Sequence, residues 1–274
     1  MSETLIRALS GAVYIAILLT ACLYSDWSFK TLMAIFLLIA TVEFSKLIRF
    51  NVIIGLFLAI GLYVLLGCSE WLTQGTELSV IENNWILIGG SIATSFFLIQ
   101  NLFSDKSLII KNVFLKYFLL IGYIIFSFII IIKIPYDNLG NYKPEMIIGL
   151  FVLLWTNDTF AYIIGKTFGK HKLLERISPK KTIEGFIGGA LFTIIFSTFI
   201  AQYLEQNNAL EWILISIIVI VFGTLGDLVE SKFKRSANVK DSGNIMPGHG
   251  GILDRLDSII FVAPFVFLFY QIIS

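Results

Sequence analysis

Between Val113 and Lys133 the chain runs VFLKYFLLIGYIIFSFIIIIK, with Lys116 the one charge before the closing lysine. A stretch of that length and apolarity matches the roughly 20 residues a helix needs to cross the hydrocarbon core of a bilayer. Inside lipid every backbone N–H and C=O has to be satisfied within the segment, and an α-helix does this. The run is not alone. Further spans read as 5–24, 29–48, 51–68, 84–103, 145–165, 183–204, 211–230 and 256–273, which with 113–133 makes nine. Only 14% of residues are charged and 57% are hydrophobic, where soluble domains carry roughly 25% charge. The expected fold is therefore all-α, a polytopic integral membrane protein. The first apolar run is too long for the core of a signal peptide, and no small-residue cleavage site follows it, so it is read as the first transmembrane helix.

Basic residues orient such a chain, because Lys and Arg gather in cytoplasmic loops. With the N-terminus in the cytoplasm, nine spans place all but Lys30, Lys133 and Lys143 of the 20 Lys and Arg on that side. A wrong number of spans would mix the two sides, so the expectation is N-in and C-out. A net charge of +1 gives no reason to expect nucleic acid as a partner. Cys22 and Cys68 lie in or beside apolar runs, without CxxC or Cys/His spacing. They read as small apolar residues rather than a zinc site or a disulfide framework. The short N-terminus without a transit segment suits a bacterial cell (inner) membrane.

Polar residues are spread unevenly. Residues 1–144 hold spans one to five, with featureless loops, and are expected to act as scaffold. Residues 145–274 hold the remaining spans and two charged cytoplasmic loops, 166–182 and 231–255. Six acids lie in or beside the late spans: Asp158, Glu184, Asp227, Glu230, Asp254 and Asp257. Acids in a membrane are costly and mark functional sites. Asp227 and Glu230 share a helix face at a spacing of three, Ser231 joins Asp227 at i+4, and Asp254 and Asp257 repeat the spacing of three. All six are expected near the cytoplasmic ends of their helices, ringed by Lys and Arg. Magnesium takes oxygen ligands and commonly bridges one or two carboxylates to substrate phosphates. Neighbouring cations would hold the remaining phosphate oxygens. The pattern points to phosphoryl or nucleotidyl transfer on a metal-bound polyphosphate. Ion pairing at helix ends explains any one of these acids equally well, but six acids beside two basic loops less well.

Smaller signals divide. Gly165-Lys166-Thr167 ends like a phosphate-binding loop, but that motif needs glycine where Phe160 stands and a preceding strand, so it is rejected. In GFIGG, Gly185 and Gly189 share a face and predict close helix packing. His171 reads as a solvated loop residue. His249 sits in PGHGG, whose glycines permit close backbone approach to a ligand, and either a site role or a loop role is open to it.

From Ser231 the chain reads SKFKRSANVKDSGNIMPGHGGILDRLD. This resembles the signature of the phosphatidate cytidylyltransferases, or CDP-diacylglycerol synthases. The matching positions are Ser231, Lys234-Arg235, Lys240-Asp241, His249-Gly250-Gly251 and Asp254-Arg255-Leu256-Asp257, in the expected spacing. NDTFAYIIGKTFGKHKL at 157–173, ISPKKTIEGFIGG at 177–189 and GDLVESKFKR at 226–235 look like the same family. The likeness covers most of 150–260, and the first half shares only its hydrophobic spans. The resemblance implies that CTP and phosphatidate give CDP-diacylglycerol and pyrophosphate, with Mg2+ as cofactor, and it favours a homodimer. On that basis Asp227 and Asp254, then Asp257, are expected as metal ligands. Lys234, Arg235, Lys240 and Arg255 are expected to hold phosphates. Ser178, Lys180, Lys181 and Thr182 are expected to meet CTP, with Asp158 and Glu184 orienting them or binding metal. Ser231, Asp241, His249, Gly250 and Gly251 complete the expected site. The lipid tails would stay among membrane lipids while the head group meets CTP at the cytoplasmic surface. Two alternatives stand beside this reading. One is a CTP-dependent kinase of a polyprenol-type lipid, the other an ion-coupled transporter, which would call for midplane acids and paired broken helices.

Overall fold

A computed structural model describes residues 3–68, 77–104, 110–137, 139–203 and 209–273. Lys106, one of the basic residues counted above, and the loop segment 69–76 lie outside the described residues. The helices are α1 Glu3–Tyr24, α2 Asp26–Leu47, α3 Val52–Gly67, α4 Glu77–Leu102, α5 Val113–Lys133, α6 Pro144–Phe168, α7 Ile183–Tyr203, α8 Ala209–Ser236 and α9 Leu253–Ile273. Short π-helical turns run within α3, α5 and α8. Helix starts follow local chemistry. Ser25 and Ser28 form a reciprocal capping box at α2, and Asn51 caps the amides of Ile53 and Ile54 at α3.

The chain is an all-α polytopic membrane protein, with one departure from the expected count. Eight of these helices are long and apolar enough to cross a membrane, and α3 is a shorter apolar helix. The span expected at 51–68 is thus the short one. It starts straight after a tight turn in which Arg49 adopts φ 53°, and it ends within the π-helical turn at Gly67. A second departure is the loop expected at 166–182. Helix α6 runs on to Phe168, and the rest folds into an antiparallel hairpin, β1 Lys172–Leu174 and β2 Ser178–Thr182, with Lys172 opposite Thr182 and Leu174 opposite Ser178.

Burial shows which helices are central. In α9 the run Ile259–Ala263 is buried on consecutive positions, as is Ile129–Ile132 in α5, the mark of a helix surrounded by protein. Helix α1 lies outside, with Leu5, Leu9, Val13 and Ile17 exposed along one face at i, i+4 spacing. One hydrophobic core runs from Tyr14 to Phe267, so residues 1–144 and 145–274 pack as one body. The close packing expected of GFIGG is present. A Cβ on Gly185 would stand 2.6 Å from the Ala161 carbonyl oxygen, and one on Gly189 would stand 2.9 Å from that of Asn157. Contact this close brings α7 onto α6 and fixes the hairpin between them. The C-terminal end of α4 is met by two cations. Lys232 donates to the Asn101 and Ser104 carbonyls, and Arg176 to those of Leu102 and Ser104. This offsets the negative end of the helix dipole.

Candidate active site

Helix α8 carries the first half of the site on one face. Ser231 Oγ donates to Asp227 Oδ1 at 3.3 Å, as their i, i+4 spacing predicts. The other oxygen of Asp227 lies 2.6 Å from Lys181 Nζ, brought by β2. Burial works against the Lys181 charge, but Asp227, then Asp158 and Asp257, outweigh it and hold the ammonium above the ordinary lysine range. Lys181 is therefore a fixed cation.

One turn further along α8, Lys234 reaches two acids. Its Nζ lies 2.5 Å from Glu230 Oε2 and 2.6 Å from Asp254 Oδ1. Glu230 is 1% exposed and Asp254 8%, so the trio is a buried ion-pair network, in which each member depends on the others. Asp254 opens α9. Its second oxygen accepts Ser242 N–H and Oγ–H at 2.8 Å and Gly251 N–H at 2.7 Å. Asp254 thus spends one oxygen on Lys234 and the other on holding the preceding loop. The adjoining amides, Ile252 and Leu253, donate to a different carboxylate, Glu43 on α2, at 3.2 and 2.8 Å. These are amides that a helix start leaves without partners.

Glycines make room for this arrangement. Gly248 and Gly250 have φ of +75° and +83°, which L side chains rarely adopt. A Cβ on Gly251 would stand 2.4 Å from Glu43 Oε1. The Gly251 amide, expected to approach phosphate, is instead spent on Asp254. His249 also turns towards the N-terminal half, with Nδ1 2.7 Å from Ser10 Oγ on α1.

Three adjoining cavities meet at Arg255. The largest, about 640 Å3, is lined by Lys166, Lys172, Lys180, Lys181 and the four aspartates 158, 227, 254 and 257. A second, about 220 Å3, shares Asp158, Asp254, Arg255 and Asp257 but is walled by Tyr14, Ile15, Phe151, Leu154 and Trp155. The third, about 430 Å3, lies against Arg7, Lys240, Asp241 and His249. Four carboxylates on one cavity are the donors a hard cation prefers. Among the described residues, no three His, Cys, Asp or Glu side chains are gathered tightly enough to hold an ion unaided. Magnesium does not require such a cage, since it is usually held by one or two carboxylates together with substrate phosphates. The donor set fits it on those terms.

The sequence model of the Cytidylyltransferase family matches residues 5–273. The chain belongs to that family. It is a nucleotidyltransferase. The phosphatidate cytidylyltransferase of Staphylococcus haemolyticus (strain JCSC1435) is 35% identical over 270 residues, 94% of this chain and 96% of that protein. The protein of the same name from Staphylococcus aureus (strain COL) is 35% identical over 268 residues, 94% and 96% of the two chains. That of Bacillus subtilis (strain 168) is 48% identical over 139 residues, 50% of this chain and 51% of it.

Not every expected residue of this family member reaches the cavities. Asp158, Lys180, Lys181, Thr182, Asp227, Asp254, Arg255 and Asp257 line the largest, and Lys240, Asp241, His249 and Gly250 the third. Thr182 also caps α7 by accepting Gly185 N–H at 3.1 Å. Arg235 is turned to the hairpin, where Nε donates to the Ile177 carbonyl at 3.5 Å. Ser178 belongs to the same hairpin, in β2. Glu184 accepts the amides of Lys170 and His171, and its Oε1 pairs with His171 Nδ1 at 2.6 Å. His171 is the exposed loop residue expected, with its ring also tied to Glu184. Nor do all six acids lie at helix ends. Asp158 and Asp227 stand back from the ends of α6 and α8, by roughly 15 Å at ~1.5 Å per residue. Both helices outrun their apolar spans, and the extension of α8, TLGDLVESKFKRS, is amphipathic. Sequence reading missed Glu43, Arg7, Ser10 and Tyr14. Glu43 carried a readable signal, a lone acid late in an apolar span.

Proposed function

We propose that this enzyme transfers the cytidylyl group of CTP to phosphatidate, giving CDP-diacylglycerol and pyrophosphate. The relatives named above carry that activity in their names. The observation that carries the reading is the junction of two unlike cavities at Asp158, Asp254, Arg255 and Asp257. The larger carries four lysines on a lining that also includes Tyr162, Leu173, Pro179 and Phe186, and it is of a size for a small ligand, within the usual range of roughly 300–1,000 Å3. The smaller has an aromatic and aliphatic wall. A nucleotide triphosphate matches the first, and the head group of a membrane lipid the second.

The reaction needs no strong base, because the phosphatidate phosphate is already anionic at neutral pH. One of its oxygens forms a bond to the α-phosphorus of CTP in line with the bond to the β-phosphate, which breaks and releases pyrophosphate. Arg255 faces both substrates and can fork across phosphate oxygens. Lys180 and Lys181 hold the triphosphate. As phosphate oxygens draw Lys181, its grip on Asp227 loosens and frees that carboxylate. Asp227 and Asp257 would hold magnesium, with Asp158 beside them. Bound there, the metal would neutralise charge on the α-phosphate and the leaving group. Asp254, an expected ligand, would give up Lys234 to take part and acts first by holding its loop. Lys234 then balances Asp254 and Glu230 rather than phosphate.

Counting the short α3 as a ninth crossing, the N-in, C-out orientation inferred from the basic residues would put these cavities on the cytoplasmic side of a bacterial cell membrane. A homodimer is part of the same proposal, and the mass of the purified protein in detergent tests it. The reaction is tested by pyrophosphate release from purified protein with CTP, phosphatidate and magnesium. Release that stops when any one is omitted is the expected result. Release of CDP instead would make the enzyme a lipid kinase.

A further inference from the structure

Glu43 has no part in the chemistry above, yet it is 4% exposed within an apolar helix of the N-terminal half. Burying a carboxylate is costly unless it is well paired. Among the described residues no Lys or Arg meets it. Its oxygens accept instead from Ile252 N–H, Leu253 N–H and the Ser242 hydroxyl, the last at 3.2 Å. Those three groups bracket the segment that ends at Asp254. The Ser242 hydroxyl lies between Glu43 and Asp254, and it has one proton to give to either. Two glycines are shaped around the same carboxylate. A Cβ on Gly243 would stand 2.1 Å from Glu43 Oε1, with all three of its nearest contacts on Glu43. A Cβ on Gly251 would meet both Glu43 oxygens within 2.5 Å.

We infer that Glu43 is a positioning residue for nucleotidyl transfer, clamping the segment 242–253 from α2 so that Asp254, Arg255 and Asp257 face the cavities. The inference rests on the reaction proposed above only for its effect on rate. The clamp itself is a matter of geometry. Helix α9 starts where Glu43 and Asp254 collect its first amides, so loss of Glu43 frees the start of the helix that carries three cavity residues. A displacement of about 1 Å in such groups can cost about 100-fold in rate.

The test uses full-length protein in detergent: wild type, Glu43→Ala, Glu43→Gln, Gly243→Ala and the double variant Glu43→Ala/Gly243→Ala. Pyrophosphate release per folded molecule is resolved into kcat and KM for CTP, and amide exchange is followed over 242–253 and 172–182. Glu43→Ala is expected to lower kcat about 100-fold with little change in KM, and to speed exchange over 242–253 but not over the hairpin. Glu43→Gln, which keeps the volume and one acceptor, falls between. Gly243→Ala alone is also impaired, but adding it to Glu43→Ala costs nothing further, because its obstacle has gone. Wild-type kcat in Glu43→Ala, or losses that multiply in the double variant, would overturn the inference. Should wild type release no pyrophosphate, the proposed reaction fails. The exchange arm then decides the clamp, and unchanged protection in Glu43→Ala refutes it. If Glu43→Ala does not fold, Glu43→Gln and Gly243→Ala carry the same comparison.

Discussion

The hairpin Lys172–Thr182 brings three lysines to the cavities and the segment 237–252 brings Lys240, but they are held in different ways. The hairpin is fixed mostly by its own backbone ladder, with Arg235 on the Ile177 carbonyl and Glu184 on the amides of Lys170 and His171. The second segment has almost no regular structure. It is held from outside by two buried carboxylates, Glu43 and Asp254, with glycines where a side chain would strike them. A ladder tolerates change one bond at a time. A loop gathered on two carboxylates does not, because each removal strands several buried donors at once.

The largest expected effect tests that difference directly. Asp254→Ala removes one of the two acidic partners of Lys234 and three loop contacts together. Breaking a buried ion pair from one side costs about 3–5 kcal/mol. Thermal unfolding should show that loss, protease should cut within 237–252, and activity should disappear. If the hairpin were cut first instead, the comparison would fail. Next comes Lys181→Ala, expected to lower kcat/KM for CTP about 100-fold while leaving protection of 237–252 unchanged, as exchange measurements would show. Arg235→Ala should cost less than about tenfold, since one long, part-buried hydrogen bond to a ladder-held hairpin is lost. A loss as large as that of Lys181→Ala would return Arg235 to the phosphates. The smallest effect concerns pH. Partial burial, then Arg255 and Arg7, hold the His249 pKa below its ordinary 6.5. A folded pKa below the unfolded one means the unfolded chain binds the proton more readily. The stability His249 contributes is therefore present above about pH 6.5 and lost as pH falls through that value towards its folded pKa. Unfolding temperatures of wild type and His249→Gln should differ more at pH 7.5 than at pH 5.5.

Much of this was legible in the sequence, for reasons that differ by residue. Span positions follow from hydropathy, because lipid leaves a backbone few choices. Asp227 with Ser231 follows from helix periodicity, and Lys240, Asp241 and His249, which the signature gathers into one expected site, share one cavity. What periodicity cannot give is the partner of a carboxylate. Asp254 and Glu184 read as ligand-facing acids, but one collects a loop and the other the amides beside the hairpin. Glycines in PGHGG read as room for phosphate, and Gly251 proves to be room for Glu43. That contact joins residues some 200 positions apart, which no local pattern reports.

The most direct test of the proposed reaction follows the label. Purified enzyme is given phosphatidate, magnesium and CTP labelled at either the α- or the γ-phosphate, with Asp227→Asn alongside. The account predicts α-label in the lipid phase, γ-label in aqueous pyrophosphate, and neither transfer in Asp227→Asn. Label from the γ-phosphate in the lipid, or α-transfer at wild-type rate in Asp227→Asn, would contradict it.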